Sequence, residues 1–93
     1  MYTDKPTDLT TNLTVESWVG KLTMVACEME AVPLPTLNWS HPGNETVTVN
    51  GSKVTSRLYF RPKSSSDFGY YKCVGTNIVG STSVTILLVK MGK

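Results

Sequence analysis

Apolar and polar residues alternate along most of this chain, and a period of two is the signature of strands with one buried face. Thr23, Val25 and Cys27 share one face of a predicted strand, which turns Leu22, Met24 and Ala26 to the other. Leu37 and Trp39 share a face over 36–40, as do Leu58 and Phe60 over 53–60, so Arg57, Tyr59 and Arg61 point away. Tyr71 and Cys73 follow Asp67 and Gly69 at the same period, which reads as a tight corner feeding a strand over 69–76. The chain is thus predicted to be all-β. An edge strand is expected over 8–15 with Leu13 and Val15 inward, then a turn over 16–20 in which Trp18 caps the end of the core. A loop over 41–45 leads to a short strand over 46–49, and Asn50-Gly51 signals a two-residue hairpin into the strand that begins at Lys53. In the last strand, 81–90, both parities are apolar, so either Val84, Ile86 and Leu88 or Leu87 and Val89 face the core.

Cys27, Trp39 and Cys73 occur in that order, with Tyr71 two residues before the second cysteine. Gly20 precedes Cys27, Ala31-Val32-Pro33-Leu34-Pro35 precedes the Trp strand, and Cys73-Val74-Gly75-Thr76-Asn77-Ile78-Val79-Gly80 closes the pattern. Taken together these elements resemble the immunoglobulin superfamily, in its I-set and C2-type branch, over nearly the whole chain. The resemblance implies a two-sheet Greek-key sandwich of about seven strands, A, B, C, C′, E, F and G. Only one short strand fits between C and E, so strand D is expected to be absent or reduced. It also implies a Cys27–Cys73 disulfide packed on Trp39, and structural roles for Asp67, Gly69 and Tyr71. Tyr71 would place its hydroxyl on upstream backbone, and Asp67 would pair with a base, for which Arg57 and Lys53 are the nearest candidates.

With 93 residues and no internal linker, one domain is expected, its core spanning about 7–90, excised from a multidomain ectodomain. The net charge of +2 comes from scattered Lys and Arg, without the dense basic run that a nucleic-acid partner would need. No stretch reads as a signal peptide or a membrane span. Asparagine bears on the compartment. Of five asparagines, Asn12, Asn38, Asn44 and Asn50 each open an Asn-x-Ser/Thr sequon, where composition alone would give about one. That excess favours an extracellular glycoprotein, cell-surface or secreted. Asn44 ranks first for attachment and Asn12 next, while Asn38, with Trp39 inside its sequon and a place within a strand, ranks low.

His41 is the only histidine and has no partner at ligand spacing, so neither a metal nor an organic cofactor is expected. No activated nucleophile, carboxylate pair or phosphate loop is present, and an enzyme is not expected. Two functions remain. One is a protein-recognition module of a cell-surface adhesion molecule or receptor, including a growth-factor receptor kinase ectodomain; the other is a structural spacer of the kind found in cytoskeletal I-set repeats. Partners are then proteins or neighbouring domains of the same type. Leu22, Met24 and Tyr59 are expected to form an apolar patch on one outer face, rimmed by Arg57 and Arg61. A weak heparan sulfate contact through Arg57, Arg61, Lys63 and Lys21 is a further expectation.

Overall fold

The computed structural model describes residues 4–92. Eight strands follow in chain order: β1 Thr7–Asp8, β2 Thr14–Ser17, β3 Thr23–Glu30, β4 Thr36–Trp39, β5 Asn44–Asn50, β6 Lys53–Phe60, β7 Gly69–Thr76 and β8 Ser81–Lys90. A single 3-10 turn, Ser65–Asp67, lies between β6 and β7. They form two four-stranded sheets, ordered β1-β3-β6-β5 and β2-β8-β7-β4. All pairs are antiparallel except β2 on β8.

The two sheets close on a core whose parity is the one the cysteines set. Val25, Cys27 and Met29 from β3 are fully buried, as are Leu58 from β6 and Tyr71 and Cys73 from β7. In β8 the ambiguity resolves to Val84, Ile86 and Leu88, which leaves Leu87 and Val89 half-buried on the outer side. The Cys27–Cys73 disulfide joins the sheets, with Cα atoms 6.4 Å apart. Trp39 packs against both halves of the core, the one holding the disulfide and the one around Leu58 and Ile86.

Four expectations about elements are corrected. The strand after β4 pairs along its whole length with β6, Asn44 opposite Tyr59 through Asn50 opposite Lys53. It therefore occupies position D, and C′ is the strand that is missing. The reason is the turn: a two-residue connection can only fold a strand back onto the next one, so 44–50 must lie beside β6 in the same sheet. That turn sits one residue later than the Asn50-Gly51 signal. Its central residues are Gly51 and Ser52, with Gly51 at φ +63°, as a type II′ turn requires of its first central residue.

The edge strand expected over 8–15 is two strands on opposite sheets. β1 pairs with β3, then the chain crosses the sandwich and β2 runs parallel to β8. The crossing starts where the Asp8 carboxylate accepts the amide of Thr10, 2.8 Å away, a local bond that ends β1. Leu13 lies in this crossing and is exposed, while Ser17 takes the buried position at the end of β2, bonded to Thr23 Oγ1 at 2.6 Å. Trp18 does not cap the core. It is exposed, and the Lys21 ammonium stands 4.8 Å over its ring.

Candidate functional site

The corner before β7 is scaffold, built as a set of local bonds. The Tyr71 hydroxyl donates to the Asp67 carbonyl at 2.6 Å. Burial of Tyr71, and next the nearby Asp67 carboxylate, raise its pKa above the ordinary 10.0, so it stays a neutral donor. Asp67 is structural, but the expected pairing with Arg57 or Lys53 is corrected. Its Oδ2 accepts the amides of Lys63 at 2.6 Å and Ser64 at 3.3 Å, capping the 3-10 turn. Lys53 instead meets Glu28 at 3.4 Å, and Arg57 donates to Thr48 Oγ1 at 3.1 Å. The chain turns with a buried Pro62 where Lys63 breaks the apolar pattern, so the core is closed by the ring one residue earlier. Gly69, at φ +125°, adopts backbone that side chains disfavour. His41 is exposed, yet its ring stacks on Tyr71 with centroids 3.9 Å apart, and Ser40 Oγ lies 2.8 Å from its Nδ1. Asn77 is likewise structural. It accepts the amides of Val79 and Gly80 and donates to the carbonyls of Asp4 and Pro33, tying the β7–β8 turn to the chain start and to the loop before β4.

Sequence reasoning missed one constellation, a polar link through the core's edge. Ser56 is fully buried on β6 between Val54 and Leu58. The Trp39 indole donates to its Oγ at 2.8 Å, and its own hydroxyl donates to Glu45 Oε2. The signal available was a serine at a core parity, facing a tryptophan whose N–H needs an acceptor.

Side chains free for contact lie on the two outer faces. On the first sheet Met24 is directly opposite Tyr59, and Tyr59 opposite Asn44, so the three form one row across β3, β6 and β5. Leu22 and Met24 are exposed and Tyr59 half-buried. Arg61 closes its end by donating to the Gly20 carbonyl at 2.8 Å. On the second sheet Tyr70, Lys72, Val74 and Thr76 point outward, and Tyr70 is 70% exposed opposite Leu87. Asn38 is exposed opposite Val74 on that face. Asn12 borders a shallow cleft with Met24, Ala26 and Arg57 on the first sheet, and Asn44 and Asn50 are exposed at the two ends of β5. Three of the four sequons therefore surround the first sheet's outer face. Of the basic residues expected to hold heparan sulfate, Arg57, Arg61 and Lys21 are all engaged within the chain. Among the described residues no group of three His, Cys, Asp or Glu side chains is placed to hold a metal ion.

A disulfide joining two such sheets, with a tyrosine corner before the second cysteine, is the arrangement of an immunoglobulin sandwich, A-B-E-D against C-F-G, here with β2 as an added strand beside G. The immunoglobulin-domain family matches residues 5–77. The chain belongs to that family. This immunoglobulin domain is 31% identical over 88 residues to hemicentin-2 of Mus musculus, covering 95% of this chain and 2% of that protein. It is 26% identical to the limbic system-associated membrane protein of Gallus gallus over 92 residues, 94% of this chain and 27% of that one. A solved complex of Dpr2 Ig1-Ig2 with DIP-Theta Ig1-Ig3 contains a chain that superposes with a TM-score of 0.86 at 27% identity. The match covers 95% of this immunoglobulin domain and 33% of that chain. The domain thus spans a small part of the relatives it matches.

Proposed function

We propose that this immunoglobulin domain is an extracellular protein-recognition module, one unit of a cell-surface adhesion protein or receptor. The observation that carries the reading is the exposure of all four sequon asparagines on a sandwich closed by a disulfide, a pair of features that suits an oxidising, glycosylating compartment. Likeness to a protein named as a membrane protein, and to a chain solved in complex with other immunoglobulin domains, supports it. The partner in this reading is another protein or an adjoining domain of the same type.

Two outer faces can carry the contact. We place it on the second sheet, around Tyr70, Lys72 and Val74, because an aromatic ring 70% exposed beside an exposed cation is an anchor that folding alone does not use. The Leu22, Met24 and Tyr59 patch is the second candidate, favoured by its contiguity, but a glycan on Asn44 would stand directly beside Tyr59. A spacer role, as one immunoglobulin domain among several in a longer protein, is the alternative function. Cell-surface binding of a multivalent display of the domain tests the choice. Tyr70→Ala should reduce binding at least tenfold, with Tyr59→Ala neutral. No binding by any form favours the spacer.

A further inference from the structure

Strand β5 is a sheet edge that no other strand covers among the described residues. Its seven residues are all exposed, and it is the longest of the four sheet edges, the others being β1 with two residues and β2 and β4 with four each. The pairing with β6 runs without a bulge, so β5 is regular along its whole outer side. It carries neither proline nor lysine. Its one charge, Glu45, is turned toward the sandwich by the bond from Ser56. Between the ends stands Thr46-Val47-Thr48-Val49, rich in β-formers, with Val47 and Val49 exposed to 56% and 55%. Both valines lie on the core side of the sheet, opposite Ser56 and Val54, yet the neighbouring sheet does not cover them. A long, regular, exposed edge of this kind is a template for pairing with another copy of itself, and natural sheets block such edges with charges, proline, a bulge or a cover, of which β5 has only the inward-turned Glu45.

What this chain places there instead is a pair of sequons. Asn44-Glu45-Thr46 opens β5 and Asn50-Gly51-Ser52 closes it, and both asparagines are exposed. Six residue steps separate them, roughly 20 Å of extended strand. A bulky hydrated glycan at each end therefore reaches the middle from either side. We infer that Asn44 and Asn50 are N-glycosylation sites whose glycans guard the open edge of β5 and keep the domain from pairing edge to edge with a second copy. The glycan on Asn44 also lies across the strand from Tyr59, which withdraws the first sheet's outer face from protein contact. This inference rests on the extracellular reading above.

The test is secretion of the 93-residue chain behind a leader from mammalian cells, with glycopeptide mapping and analytical ultracentrifugation. The glycosylated chain should carry glycans at both positions and sediment as a monomer at about 100 µM, within the range where unpaired edges associate. Asn44→Gln/Asn50→Gln, or oxidised wild-type chain refolded from bacteria should that variant not be secreted, should show an apparent mass about twofold higher. Adding Val47→Lys to the unglycosylated form should restore the monomer by putting a charge on the edge. An unglycosylated form that stays monomeric overturns the inference, as does a dimer indifferent to Val47→Lys. Bare Asn44 and Asn50 on secreted, disulfide-closed protein overturn it too while leaving the extracellular reading standing; retention of the chain in the cell with reduced cysteines removes both.

Discussion

Replacing Ser56 by alanine should destabilise this domain far more than the loss of one oxygen suggests. The side chain is fully buried and holds two partners at once, the Trp39 indole N–H at 2.8 Å and the Glu45 carboxylate. Alanine fits the same space, so no cavity of consequence opens and the cost lies in the polar groups left behind. The indole N–H, part-buried at the edge of the core, loses its acceptor, and a stranded donor of that kind costs about 1–2 kcal/mol, the lower part of the range for a buried one. The bond to Glu45 adds about 1 kcal/mol, at the low end for a charged acceptor because the exposed carboxylate turns to water instead. Ser56→Ala should therefore lower stability by about 2–3 kcal/mol, and for a domain of this size reduce Tm by roughly 10–15 °C. Urea unfolding followed by circular dichroism, a signal that all four variants keep, measures it, with a double-mutant cycle to Trp39→Phe. In the Trp39→Phe background no indole remains to be stranded, so Ser56→Ala should cost only about 1 kcal/mol there. A loss below about 0.5 kcal/mol in the wild-type background, the size of an ordinary surface change, would refute the reasoning. So would an equal loss in both backgrounds.

Other outcomes follow from the same contacts. Tyr71→Phe removes the bond to the Asp67 carbonyl and should cost about 1–2 kcal/mol by urea unfolding. The raised Tyr71 pKa means that the unfolded chain releases this proton first, so its contribution is intact below pH 10 and is lost as pH rises above it; Tyr71→Phe should flatten that decline. Reducing Cys27–Cys73, which are 46 residues apart, should remove about 4 kcal/mol by loop entropy, read as a shift in the urea midpoint. A Cβ on Gly75 would run into Met29 Sδ and stand 3.0 Å from Leu37, so Gly75→Ala should cost about 1–3 kcal/mol, and combined with Met29→Ala it should cost less than the two single losses added together.

The parity of alternation was enough to place the core, because a strand covered on one side leaves no freedom in which residues point inward. Val25 and Cys27, Leu37, Leu58 and Tyr71 all lie where that parity puts them. The disulfide and the tyrosine corner were legible through the family resemblance. Parity does not say which sheet a strand joins, and there the reading failed. Chain length alone points the strand over 46–49 to C′, whereas the two-residue turn after it requires pairing with β6. Nothing periodic marks the crossing between β1 and β2, whose only local sign is the Asp8 to Thr10 bond. In β8 the choice of parity depended on what lies across the sandwich, a tertiary fact.

Of the candidate site, the first-sheet patch was visible from parity alone, since Leu22, Met24 and Tyr59 had to leave the core together. Its neighbour Asn44 was not, because that adjacency depends on β5 lying beside β6. The link from Trp39 through Ser56 to Glu45 was out of reach for the same reason, as its members come from three strands. Asp67 had a family role that this chain fills differently: the 3-10 turn brings two backbone amides to its carboxylate before any base reaches it.

The most direct test of the extracellular reading is intact mass and thiol titration of the protein isolated from the cells that make it. The expected result is no free thiol among Cys27 and Cys73, and a mass above that of the polypeptide that peptide N-glycosidase removes. An unmodified mass with two titratable thiols in the native fold would contradict it.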